Sequence, residues 1–476
     1  MNMSDFYSAH SLFNHGISYL RRGHWNKHYD LSLEFTLSSL NEELPSVVTS
    51  ATIKQYVDNK KAQLATLSDD TLLNYPAMVI PSKILAVQLL VKLQVSLAII
   101  GEGAAMTIIP LKVIQMSLTY GMSSYSPSAF AQYGNYLALI GDDFEEGCRY
   151  VKFALSLMKK VPSRAHDGIT MFYSNHTKLY VEPMQSSIEC YLDARKACLK
   201  SGIPFALSCS YTYNNLCLWS GKELNAVVVS MSDMIRESKY LKNFAILTIV
   251  LPMFRFAMRL IGQLDAPAPQ QDEGGNAYAF HLHDMFLTKL SEAFIFRELN
   301  KARDSAGKYF SIYCTQTNTM RWCVLRRLSP PATFFGRFYF GLVSFWVARE
   351  MNDKKKSKKW IQRGVECKDE IEKLSVLAST WNFQNKAYLL QAEEQFSSMN
   401  FDLAERLYDD AISSSKTHKF VNEEALANEL AGHFYLETGR RNRSVHYFSQ
   451  AFEKYNEWGA VAKANTLAAY LDESDR

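Results

Sequence analysis

Residues 403–440 read LAERLYDDAISSSKTHKFVNEEALANELAGHFYLETGR, and this string lies inside the stretch 381–471 that decides the fold. The stretch reads as two successive helical hairpins. The first carries Tyr388, Ala392, Phe401, Ala404, Tyr408 and Ala411; the second carries Asn428, Gly432, Gly439, Ser444, Phe448 and Ala451. Ala404 falls over Ser444, Tyr408 over Phe448 and Ala411 over Ala451, each pair 40 residues apart in the numbering. Small and aromatic residues in phase at a fixed offset mark stacked helical units, because no single hairpin can bury its own apolar face. Ala392 and Gly432 let a neighbouring helix approach, while Tyr408 and Phe448 fill the space between hairpins.

Further towards the N-terminus, residues 124–160 give a second strong hairpin, with Gly134, Leu137 and Gly141 in its first helix and turn and Phe144, Gly147, Val151 and Ala154 in its second. Asp142 and Asp143 stand where helix N-caps belong. Other hairpins read at 10–40, at 165–202 with a turn at 180–183, and at 205–238 hinged on Gly221. Single helices read at 51–67, 81–99 and 104–120, with a short loop at 72–76. Residues 241–262 form a long apolar helix that Pro252 is expected to kink or break. Residues 264–275 hold Pro267, Pro269, Gln270, Gln271, Gly274 and Gly275, the composition of a surface loop inside the array. Helical text resumes at 277–298 and continues through 299–316, 320–328, 332–350 and 354–377. No long alternating segment supports a sheet. The expected architecture is all-α, an array of helical hairpins in two runs, 1–263 and 277–476, joined by the loop 264–276.

The in-phase hairpins resemble the tetratricopeptide pattern, stretched beyond its usual period of about 34 residues. That resemblance implies a right-handed superhelical α-solenoid, most tetratricopeptide-like at 381–471. A narrower resemblance rests on the string 403–440, on GISYLRRGHWNKHYDLSLEF at 16–35, and on residues 111–160. These look like the helical-repeat region of large hybrids of an ATPase, a protein kinase and a sensor histidine kinase, at the C-terminal part of the ATPase module. The family continues with more hairpins after the first; this chain instead moves from Glu43 directly to the helix at 51–67. The resemblance implies a regulatory role in signal transduction. It also leaves open whether the chain is a whole protein or part of a larger one.

The chain has 476 residues, 47% hydrophobic and 21% charged, which suits a folded protein rather than a disordered one. A net charge of +4 gives no argument for nucleic acid or an anionic membrane as partner. Eight cysteines form no CxxC pair, so free buried thiols are expected at Cys190, Cys198, Cys209 and Cys217, as in a reducing compartment. The N-terminal residues 1–13 lack an apolar core followed by a small-residue cleavage site. The longest apolar stretches are 88–110, interrupted by Lys92 and Glu102, and 244–253; a membrane span needs about 20 apolar residues. A cytoplasmic location is the expectation.

Motifs for chemistry are absent from the text. There is no GxxxxGK[ST] phosphate loop, no HRD, DFG or glycine-rich kinase signature, no GxSxG and no HExxH. Gly101-Glu102-Gly103 lacks the third glycine and the preceding strand of a dinucleotide loop. His281, His283 and Asp284 offer metal-like donors, but with no further Cys or His close by they read as an exposed helix start. The run Lys354, Lys355, Lys356, Lys358 and Lys359 reads as a solvated turn entering a helix; the alternatives are a nuclear address or an anionic-ligand patch, shared with Arg321, Arg326 and Arg327 one helix earlier. Phe334, Phe335, Phe338, Tyr339, Phe340, Phe345 and Trp346 crowd one helix at core-packing spacings.

Two function classes follow. One is a non-catalytic interaction and regulatory module that binds a protein, a peptide or a neighbouring kinase, ATPase or sensor domain on its concave face. The other is the helical part of an ATP-dependent signalling enzyme whose catalytic domains lie outside these residues. No cofactor, nucleic acid or membrane is expected. With Tyr388, Ala392, Ala427, Ala431 and Tyr435 on the core face, Asn385, Gln391, Gln395 and Asn428 are left for the groove, with His433 at its margin. Such amides hydrogen-bond a peptide backbone without fixing its charge.

Overall fold

The computed structural model describes residues 49–100, 103–161, 166–201, 205–263, 279–316 and 330–471. The hairpin expected at 10–40, the loop at 264–276 and the helix at 320–328 lie outside these. The described residues are helical, with no strand and one isolated bridge between Ala77 and Met122. No described helix is long and apolar enough to cross a membrane.

Four helices lead in: α1 (Ser50–Ala65), α2 (Asp69–Leu73), α3 (Pro81–Ile100) and α4 (Gly103–Tyr120). The short α2 occupies the start of what reads as loop in the sequence, because Ser68 accepts a hydrogen bond from Thr71 N and caps it. An earlier run of antiparallel helices follows. Its inner helices are α5 (Ser126–Leu139), α7 (Asp167–Val181), α9 (Phe205–Trp219) and α11 (Phe244–Ile261), with outer helices α6 (Phe144–Lys160), α8 (Met184–Ser201) and α10 (Leu224–Tyr240). Helices α12 (Ala279–Ile295) and α13 (Leu299–Gln316) come next. The later run comprises inner α14 (Pro330–Arg349), outer α15 (Lys354–Leu377), inner α16 (Thr380–Ser397), outer α17 (Phe401–Thr417), inner α18 (Val421–Glu437) and outer α19 (Arg441–Trp458), and it ends on α20 (Val461–Asn465) and α21 (Ala468–Leu471).

Inner and outer helices are built on different patterns. In α6, Phe144, Gly147, Tyr150, Val151, Ala154 and Leu157 are buried on one face. Asp143 caps it through Glu146 N, Glu145 and Glu146 lie in its first turn, and Lys159 and Lys160 in its last, all in accord with the helix dipole. Asp142 is not a cap: it takes a left-handed φ of 54° and pairs with Lys373 at 2.6 Å. By contrast, α18 is buried at every position from Asn422 to Tyr435, and α14 from Ala332 to Ala348. The aromatic crowd of α14 is therefore core. Helix α11 runs through Pro252 without a break, with Leu247, Val250, Met253, Phe256 and Leu260 buried along it. Packing along its length offsets the hydrogen bond that proline removes.

The later run sits on the earlier one, end against end. The last carbonyls of a helix have no partner within it. At α7 the Leu179 carbonyl also loses its next candidate, because residue 183 is Pro183 and has no N–H. Asn382 of α16 supplies the donor: its Nδ2 lies 3.0 Å from Leu179 O and 2.7 Å from Glu182 O, while its Oδ1 accepts from Met184 N at 2.9 Å. One hairpin on, Asn422 Nδ2 of α18 donates to Trp219 O of α9 at 3.0 Å. Both brackets span 203 residues. Gly221 makes the second contact close: at φ 79° it lies in the left-handed region, and a Cβ there would stand 2.7 Å from Asn422 Oδ1. Trp381 Nε1 donates to Gln185 Oε1 at 3.1 Å, and Gly262 faces Ala462.

Removing the brackets tests this seam. Asn382→Ala strands two carbonyls and one N–H, so a stability loss of about 3 kcal/mol is expected, against about 1–2 kcal/mol for Asn422→Ala, which strands one carbonyl. Urea unfolding followed by circular dichroism reads the difference. Equal, negligible losses would show that the seam contributes little.

Candidate functional site

Polar side chains collect where the inner helices of the later run meet. Lys386 of α16 is fully buried. Its ammonium lies 2.8 Å from Glu423 Oε2 and donates to Asn382 O at 2.8 Å, over the ring of Phe420 at 4.3 Å. Asn385 donates to the same carboxylate and, at 3.1 Å, to Ser415 Oγ. Burial pulls the lysine pKa down and pushes that of Glu423 up, and each shift is opposed by the other partner.

A second pair lies further along α18. Glu429 Oε1 is 2.6 Å from Lys463 Nζ, Tyr455 Oη donates to Oε2 at 2.7 Å, and His433 Nε2 stands 3.7 Å away. Burial raises the Glu429 pKa, but the Lys463 ammonium, with the His433 ring close by, outweighs it and holds it at about 2. A third pair joins Arg349 to Glu393 at 2.7 Å, with Tyr408 Oη donating to Glu393 Oε1 at 2.7 Å and Arg349 over the ring of Phe396.

The earlier run has its own polar interior. Tyr211 Oη donates to Asp284 Oδ1 at 2.6 Å and accepts from Asn215 Nδ2 at 2.9 Å. His283 Nε2 lies 3.0 Å from Tyr309 Oη, and burial, with the nearby Arg337 charge, lowers its pKa to about 3. The helix start expected to be exposed is thus buried at His283 and Asp284, because α13 and α14 pack over it. The described residues include no group of three or more candidate metal ligands.

The four amides expected to face a groove separate. Asn385 is 2% exposed and Asn428 3%, and Asn428 donates to Glu424 O of its own helix at 2.8 Å. Asn385 is sealed where α16 meets Ser415 of α17 and Glu423 of α18, and Asn428 lies within α18, which is covered on all sides. His433 is buried with them. Gln391 is half-buried and donates to Glu372 Oε1 at 2.7 Å; Gln395 is half-buried and accepts from Asn400 at 3.0 Å. No two of the four share a partner in these hydrogen bonds. Cys198, Cys209 and Cys217 are buried thiols in no disulfide, and Cys190 is half-buried. The lysines from Lys354 to Lys359 are exposed at the start of α15, behind the Asp353 cap. Arg321, Arg326 and Arg327 lie outside the described residues. An open cleft of about 450 Å³ between α11, α12 and α13 is lined by Arg259, Lys289, Glu292, Glu298 and Lys301, with Arg259 paired to Glu292 at 2.7 Å and to Glu298 at 2.9 Å.

Sequence reasoning passed over Asn382, Lys386, Glu423, Glu429 and Lys463. One signal was present: Asn382 and Asn422 stand in phase with the 40-residue offset that defines the hairpins. No protein-family model matches the chain, and no curated protein matches it.

Two outcomes test the buried pairs. Lys386→Met leaves Glu423 buried without its cation, with an expected loss of about 3–5 kcal/mol, whereas Lys386→Met with Glu423→Met restores most of it. Chemical denaturation of the three proteins makes the comparison. Glu429 is depressed in the folded state, so its contribution is present above the ordinary carboxyl value of 4.5 and fades as pH falls towards about 2. Unfolding free energy measured across that window should fall less steeply for Glu429→Gln.

Proposed function

We propose that the chain is a non-catalytic interaction and regulatory module, a right-handed tetratricopeptide-like superhelix that serves a signalling assembly of the ATPase–kinase hybrid kind in the cytoplasm. One observation carries the reading. Five buried groups capable of acid–base work, Glu393, Glu423, Glu429, Lys386 and Lys463, are each bound to a structural partner. Buried pairs that fix helix register support a scaffold, and a rigid scaffold presents surfaces rather than a reaction centre. The partner is a protein or a neighbouring kinase, ATPase or sensor domain. It meets the outer surfaces and rims, since Asn385 and Asn428 are enclosed.

The isolated chain is expected neither to bind nor to hydrolyse ATP with magnesium. Titration calorimetry checks binding, and phosphate release checks turnover. Stoichiometric nucleotide binding at about micromolar affinity would return the chain to the ATP-dependent class.

A further inference from the structure

Among the described residues, the later run leaves open a rim that the earlier run buries. In each hairpin the turn after the inner helix and the first residue of the outer helix form one rim. In the earlier run those first residues are Phe144, Met184 and Leu224, each 40 residues after the last, and all three are buried. The inner ends of α16 and α18, with Gly459, cover the rim at Met184 and Leu224. Lys373 reaches Asp142 at the perimeter, at 2.6 Å. Among the described residues, the later run repeats the geometry without a cover. Phe401 opens α17 and is 40% exposed, and Met399 in the turn before it is 79% exposed. Arg349 Nη1 bonds Ser397 Oγ at 3.1 Å, which places the turn before α15 beside the turn before α17. Five exposed lysines, Lys354, Lys355, Lys356, Lys358 and Lys359, open α15 on the same rim as the apolar pair.

We infer that this rim is the docking edge for an acidic α-helical-hairpin protein, which would stack on the later run as the later run stacks on the earlier one. The apolar residues continue the geometry of an interface already formed within the chain. The lysines choose the charge: five cations at a helix N-terminus oppose its dipole, and carboxylates on a partner relieve them. A second copy of this chain is the wrong occupant. Its opposite rim, at the far ends of α6, α8 and α10, exposes Lys159, Lys160, Lys200, Lys239 and Lys242, so stacking copies would set cations against cations.

The inference rests on the interaction-module reading and is tested separately from it. The probe is a designed protein of three helical hairpins. It carries asparagine at the third position of each inner helix, as Asn382 stands in α16, and glutamates in the last turn of each outer helix. A control probe has lysines in place of the glutamates. Fluorescence anisotropy with the full chain should show binding of the acidic probe, weakened about tenfold or more in about 0.5 M salt and by joint Lys354→Glu, Lys355→Glu, Lys358→Glu and Lys359→Glu. Joint Met399→Asp and Phe401→Asp should abolish it with helical content unchanged. Absence of binding, equal binding of the control probe, or insensitivity to both variants overturns the proposal. So does capture of the chain by phosphatidylserine vesicles through the same residues in preference to the probe, which would make the rim a membrane edge. Nucleotide binding by the isolated chain would instead overturn the module reading, whatever the probe does.

Discussion

The arrangement depends on side-chain amides that satisfy helix-end carbonyls. Asn382 holds Leu179 O, Glu182 O and Met184 N at once, and Asn422 holds Trp219 O. A helix end that abuts another helix must find partners for its last carbonyls or leave them dry. Asparagine suits this because one amide carries both a donor and an acceptor on a short stem. Two rows of hairpins can therefore meet end to end without a layer of water between them.

The buried charges act on the same seam from within. Lys386 bonds the carbonyl of Asn382 as well as Glu423, so the bracket and the ion pair are one network. A buried ion pair is weak evidence for stability, since desolvation offsets most of its attraction. Its effect is on alternatives. A shift of α18 by one turn against α16 would separate Lys386 from Glu423 and leave two charges buried alone. The pairs thus favour one register over its neighbours by penalising the others.

The hairpins were legible in the sequence because their signal is local. Ala404, Tyr408 and Ala411 answer Ser444, Phe448 and Ala451 through packing, which small and aromatic residues announce in the text. The docking of one run on the other was not legible. Asn382 and Asn422 bind backbone carbonyls, and a carbonyl has no residue identity to match. Asn385 and Asn428 were assigned to a groove because polar residues are mostly exposed, and that tendency fails for α18, which is buried throughout from Asn422 to Tyr435, and for the side of α16 that meets it. The same tendency misplaced His283 and Asp284. Pro252 was read as a kink or a break on local grounds; the helix does not break there, with buried residues on both sides of it.

The length of the brackets has a kinetic consequence. Most contacts in a hairpin array join nearest neighbours, so such arrays can fold from any point and propagate. Here each bracket closes over 203 residues. During synthesis at about 5–20 residues per second, the α7 and α9 ends wait on the order of 10–40 s for α16 and α18 to emerge. Met184 and Leu224, buried in the finished protein, have no seam over them in that interval. The earlier run must therefore pass through a stage with a sticky upper edge, the period in which a nascent chain most needs a chaperone or a slow neighbour.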